Sequence, residues 1–198
     1  MKKHLVDFDY KLLGLELIGI VFAVLFALTV DEWQETRQQE ALTAKLITNV
    51  NKEVKDNQSD LINHMIQNTE VINGLDLLME NRKSDSLDYE KLRTIWSLHL
   101  PALSSTAWDS ILLTNSVVYI ELGTLEKLSN IYKHQIDFNE YANYLIRNFG
   151  LLSAQLENDP RLSLNTHKIN LTTLVSLGAS LERSYKIYED FQQKHNAE

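Results

Sequence analysis

The sequence predicts an all-α protein: an N-terminal transmembrane helix continuing into an extramembrane antiparallel helical bundle. Three observations carry that expectation. Leu12 to Val30 is apolar at 15 of 19 positions, the exceptions being Gly14, Glu16, Gly19 and Thr29. Three later stretches repeat apolar residues at a three/four spacing, which lines one face of a helix. The 198 residues contain only two Pro and six Gly, and a single strand-like run, Ser116 to Ile120, which has nothing to pair with.

The first element is long enough to cross a hydrocarbon core, which takes about 20 apolar residues. Its flanks are measured by the same ruler. Tyr10 and Trp33 would lie about 35 Å apart along a helix and place an aromatic anchor in each headgroup belt. A cleaved leader fits less well, because Glu16 interrupts the start of the run and Ala27-Leu28-Thr29-Val30 is a poor small-residue cleavage site. Lys2, Lys3 and Lys11 precede the span, whereas Arg37 and Lys45 follow it among Asp31, Glu32, Glu35 and Glu40. By the positive-inside rule residues 1–11 form a short cytoplasmic tail, 12–30 the span and 31–198 an extracytoplasmic bundle. In a two-membrane bacterium that means the inner membrane, with the C-terminal domain in the periplasm.

One face of the span carries Gly19, Ala23 and Ala27 at every fourth position, with Glu16 one turn earlier. Small residues let a second helix approach closely, so this face is expected to pack on another copy or on a different membrane protein. Glu16 would hydrogen-bond in that contact or reach headgroup water.

Beyond the span, Ile47, Val50, Val54, Leu61, Met65, Ile72, Leu75 and Met79 keep the helical rhythm, interrupted by Asn57 and Asn68. The rod either runs on to about residue 80 or breaks at Asn73-Gly74, and Asn81 to Ser86 reads as a loop. A short helix is expected over Leu87–Leu98, a connection through Pro101, Ser104 and Ser105, and a further helix from Thr106. Gly123-Thr124 reads as a stop and N-cap before a long helix striped by Leu128, Ile131, Gln135, Phe138, Ala142, Leu145, Phe149, Leu152 and Leu156. Leu145 and Phe149, mid-stripe, are expected to be buried. Asn158-Asp159-Pro160 ends that helix. The last is expected from about Asn170, with Leu171, Leu174, Gly178, Leu181, Tyr185 and Tyr188 on one face.

Two stretches carry a family resemblance. Gly19 to Leu28 followed by Asp31-Glu32-Trp33-Gln34-Glu35, and later Thr106-Ala107-Trp108-Asp109-Ser110, resemble the signatures of a family of small bacterial single-pass membrane proteins without an established activity. The chain departs from that pattern at Asn115-Ser116, where the family usually has a Gly, and in a less basic helix after the span. The resemblance implies the same topology and brings no catalytic residue with it.

Composition and motifs narrow the chemistry. Nineteen Lys and Arg against 27 Asp and Glu give a net charge of −8, which argues against nucleic acid as a partner. With no Cys there are no disulfides, thiol nucleophiles or cysteine-based zinc sites. No nucleophile elbow, phosphate loop or dinucleotide fingerprint occurs, and His4, His64, His99, His134, His167 and His195 lack metal-ligand spacing. The expectation is therefore no catalytic, cofactor or metal site. A membrane-anchored interaction or scaffold protein is the leading reading, with the bilayer and other spans as partners. The alternative is a periplasmic ligand-sensing bundle that signals through a partner subunit, using the many Tyr and Trp of the exported part as pocket walls.

Overall fold

Apolar periodicity that meets no proline sustains the first helix well beyond its apolar N-terminal run. The computed structural model describes residues 10–80, 89–114 and 116–195. In it, α1 runs Tyr10–Glu80 as 71 uninterrupted residues, about 105 Å at 1.5 Å per residue. The rod is thus continuous, and Asn73-Gly74 does not break it. A Cβ on Gly74 would come 2.9 Å from Ile95 Cγ2, so this glycine admits a neighbouring segment rather than a turn. Lys2, Lys3, the loop Asn81 to Ser86, the start of the next helix at Leu87, and Asn115 lie outside the described residues.

The remaining helices are α2 (Tyr89–Ile95), α3 (Thr106–Leu113), α4 (Leu122–Gln155) and α5 (Pro160–His195). There is no strand among the described residues; Ser116–Tyr119 winds into one 3-10 turn instead. Two helix starts correct the sequence reading. The first residue of α4 is Leu122, with Glu121 as its cap, so Gly123 and Thr124 fall inside its first turn. Gly123 there faces the Phe191 ring, 3.0 Å from where a Cβ would sit. The start of α5 is at Pro160, not near Asn170. The Asp159 carboxylate accepts the Leu162 N–H at 3.0 Å, and proline suits the first helical position because its missing N–H would be unpaired there anyway. Asp159-Pro160 therefore starts a helix as much as it ends one.

Pairing between the long helices defines an up-down-up-down bundle. Along α5, Tyr188 meets Asn51, Gly178 meets Leu61 and Met65, and Lys168 meets Asp76, so α5 is antiparallel to α1. Tyr132 and Gln135 of α4 meet Glu53 and Asn57, which sets α4 parallel to α1. Residues 89–119 return down α1 in the place of the second helix. That member is broken: α2 and α3 flank an extended strap, residues 96–105.

Thr43 is the first buried residue of α1, and Val50, Val54, Leu61, Val71 and Leu75 continue inward from it. The stripe of α4 is buried from Leu128 to Leu145 and again at Leu152. Phe149 is the correction: it is only half-buried, because it lies at the edge of the core against Trp96 and His167. All six expected positions of α5, from Leu171 to Tyr188, are buried.

Candidate functional site

The most unusual surface of the molecule is the first third of α1. Leu15, Leu17, Ile18, Ile20, Val21, Phe22, Val24, Leu25, Phe26, Leu28 and Val30 are all exposed, Phe26 to 72%. Soluble monomers rarely present contiguous apolar patches beyond a few hundred Å². This segment is a candidate membrane span by length and composition, and none of its most apolar stretch is buried within the fold. One of its polar groups, Thr29, suits an apolar medium. Thr29 Oγ1 donates to the Leu25 carbonyl at 2.8 Å, so the hydroxyl needs no solvent. Past the apolar run, Trp33 is 60% exposed and the Arg37 guanidinium lies over its ring, 4.9 Å from the centroid.

Glu16, Gly19, Ala23 and Ala27 are exposed along this segment, and nothing lies within 4 Å of where a Cβ on Gly19 would stand. Among the described residues the fold brings none of the four to another part of the chain. Tyr10 opens α1, but its side chain lies outside the described residues.

The second distinctive constellation lies inside the bundle, where α1, α4 and α5 hold the strap. An extended segment beside a helix has no ladder to join, so its backbone groups need side-chain partners. Asn57 supplies one pair: its Nδ2 donates to the Ser104 carbonyl at 2.7 Å and its Oδ1 accepts the Ser104 N–H at 2.9 Å. Asn68 treats His99 identically, at 2.6 and 3.1 Å. The match is metrical. Eleven helical residues and five extended residues both span about 16.5 Å. Between these clamps Asp60 Oδ2 accepts the Ala102 N–H at 2.8 Å. Glu53 closes the lower end, accepting from the Ser104 hydroxyl at 2.7 Å, the Ala107 N–H at 3.0 Å and the Tyr132 hydroxyl at 2.7 Å.

Sequence reasoning passed over these residues by treating Asn57 and Asn68 as interruptions of one stripe and Gln135 as the polar member of another. A usable signal existed. The two asparagines are eleven residues apart, three helical turns, so they share the core-facing side, and Pro101 marks a segment that cannot be helical throughout. Gln135 completes the cluster by donating to the Ser104 carbonyl at 2.9 Å, and its Oε1 is within reach of Asn57 and Tyr185.

The electrostatics of this centre favour neutral groups. Burial, then the hydrogen bond and charge of Glu53, holds the Tyr132 phenol far above its ordinary range. Burial followed by the Glu53 charge does the same to Tyr185, and burial pushes Tyr188 up to about 12. These phenols stay protonated and act as donors. Burial lowers His167, against a smaller opposing effect from its bond to Ser97. The neutral ring donates from Nε2 to the Ser97 carbonyl at 3.0 Å and is tilted against Trp96 at 4.5 Å between centroids.

Several of the aromatic side chains pack against one another or bond within the bundle. Trp108 stacks on Tyr132 with centroids 5.1 Å apart. Trp96 donates to Ser153 Oγ at 2.8 Å. The recess left among Leu98, Leu145, Phe149, Leu152, His167 and Asn170 is about 10 Å³, room for at most one water. Among the described residues no group of three His, Asp or Glu gathers where it could hold a metal. No protein-family model, no curated protein and no solved structure matches this chain.

Proposed function

We propose that the protein is a membrane-anchored scaffold, in which one rigid helix fixes a helical bundle to the bilayer. The observation that carries this reading is the continuity of α1: the helix whose large apolar side chains from Leu15 to Val30 are exposed is the same helix that later contributes to the bundle core. Such a helix transmits position and orientation without a hinge, which suits a part that holds other components at a defined height. The bundle interior is occupied by the chain's own strap and aromatics, which leaves the surface and the span as the places for partners. Lys2, Lys3 and Lys11 favour an N-terminus in the cytoplasm and a bundle outside it, the periplasm in a two-membrane bacterium.

The test has two arms. Full-length protein should stay with membranes through alkaline carbonate extraction; release into the supernatant would refute the anchor. Protease added to intact spheroplasts should digest the bundle, whereas protection until lysis would reverse the orientation and leave the anchor standing.

A further inference from the structure

We propose that the span-side end of the bundle is itself a membrane contact, with an apolar rim from α3 to the start of α4 seated on the headgroup layer that α1 leaves. The proposal rests on the membrane reading above. Its observation is a concentration of exposed apolar residues. Within residues 112–122, Leu113 is 85% exposed, Val118 and Leu122 are each 78% exposed, and Leu112 and Tyr119 are also exposed.

Their place in the fold follows from pairings already described. The start of α3 is tied to Glu53 through Ala107, and the helix runs antiparallel to α1, so its end at Leu113 lies level with about residue 46. With Tyr132 opposite Glu53 and α4 parallel to α1, Leu122 lies level with about residue 43. The rim is therefore at the end from which the apolar segment departs.

Distance decides whether it can touch lipid. Trp33 lies about 15 Å below the level of Leu122 and about 20 Å below that of Leu113 along α1. Neighbouring helix axes are about 8–10 Å away, so the outer rim stands some 10–15 Å off the α1 axis. Spans tilt by about 20° on average and up to 40°. A tilt of about 30° towards α3 shortens that rise to about 13–17 Å and lowers the rim by a further ~5–8 Å. That leaves the rim about 5–12 Å above Trp33, its nearer side level with a headgroup layer of about 5–7 Å. The same end carries Arg37, Lys45 and Lys194 together with Asp31, Glu32, Glu35, Glu40 and Glu121. With both signs present the seat is apolar in character, and a zwitterionic bilayer suffices.

The absence of Cys makes the test direct, since any introduced thiol is labelled alone. Nitroxide labels at Leu113→Cys, Val118→Cys and Leu122→Cys would be compared in the full chain in phosphatidylcholine vesicles. Leu25→Cys serves as the span control and Leu151→Cys, at the other end of α4, as the water control. The expected result is an oxygen-to-nickel accessibility ratio at the three rim sites several-fold above that at Leu151 and approaching that at Leu25. Rim ratios equal to Leu151 with Leu25 in lipid would overturn this inference and leave the anchor intact. Spin–spin broadening at Val118 that disappears on dilution with unlabelled protein would also overturn it, because a second copy would then cover the rim. Water-like values at Leu25 itself would remove the membrane reading and the rim contact together.

Discussion

The two parts of α1 obey opposite rules. Over residues 14–33 the large apolar side chains point outward and nothing of the fold covers them. Over residues 43–79 the stripe of Leu46, Val50, Val54, Leu61, Val71 and Leu75 points inward, and even two asparagines, Asn57 and Asn68, are buried. Both parts are the same helix by backbone geometry, so the difference lies in the surroundings. The second part is ordered by its neighbours, with each buried amide paired to the strap. Among the described residues the first part has no neighbour, and its large apolar side chains do not fit a water-facing surface. A helix that changes rule partway along, without a break, matches a rod passing from one solvent into another.

The largest effect should come from charging the first part. Val21→Asp with Leu25→Asp places two carboxylates mid-span at about 2.5–3.5 kcal/mol each. The protein should leave the carbonate-resistant membrane fraction while the melting midpoint of the bundle stays unchanged. A shift in that midpoint would mean that the two parts are not independent.

Next comes the core of the second part. Leu61 is fully buried, so Leu61→Ala should destabilise the bundle by about 2–5 kcal/mol. Leu25→Ala, the same change in the first part, should leave the midpoint where it was. Equal effects at the two sites, read by thermal denaturation in detergent, would abolish the distinction.

The clamps sharpen the comparison further. Asn68→Leu keeps an apolar stripe yet strips His99 of the partner for both its N–H and its carbonyl. A loss of about 2–3 kcal/mol is expected, with faster proteolysis in the strap around Pro101. An unchanged or raised midpoint would show that the amide pairing is not what holds the strap.

The smallest expected effect is one of pH. Burial lowers His167 in the folded state, so below the ordinary histidine range the unfolded chain takes up a proton that the native ring refuses. Stability should accordingly fall as pH drops through about 6.5 and level off below the native pKa, with a slope of at most about 1.4 kcal/mol per pH unit. His167→Gln should remove that part of the slope in denaturant titrations between pH 7.5 and 5. Parallel curves for the two proteins would assign the pH dependence elsewhere.

Much of the fold was legible because helix periodicity is a local property. The stripe from Leu128 to Leu152, the stripe from Leu171 to Tyr188 and the apolar run from Leu12 to Val30 each identify a helix and the face it buries or exposes. The misreadings share a cause. Asp159-Pro160 is equally a stop for one helix and a start for the next, and only the bond from the Leu162 N–H to Asp159 separates the two. Gly74 resembles a breaker until Ile95 is seen against it. Phe149 has the spacing of a core residue, but it sits where the bundle edge leaves one side open.

Local pattern alone thus determined an all-helical chain, the candidate span and most of the core, since each depends on residues three or four apart. Tertiary structure alone decided that α1 runs unbroken to Glu80, that residues 96–105 form an extended strap, and that Asn57 and Asn68 hold it. The reason is the range of the forces involved. Burial of a stripe needs only some apolar surface opposite it, whereas a buried amide needs one donor and one acceptor from a segment 31 or 47 residues away, which no local window contains.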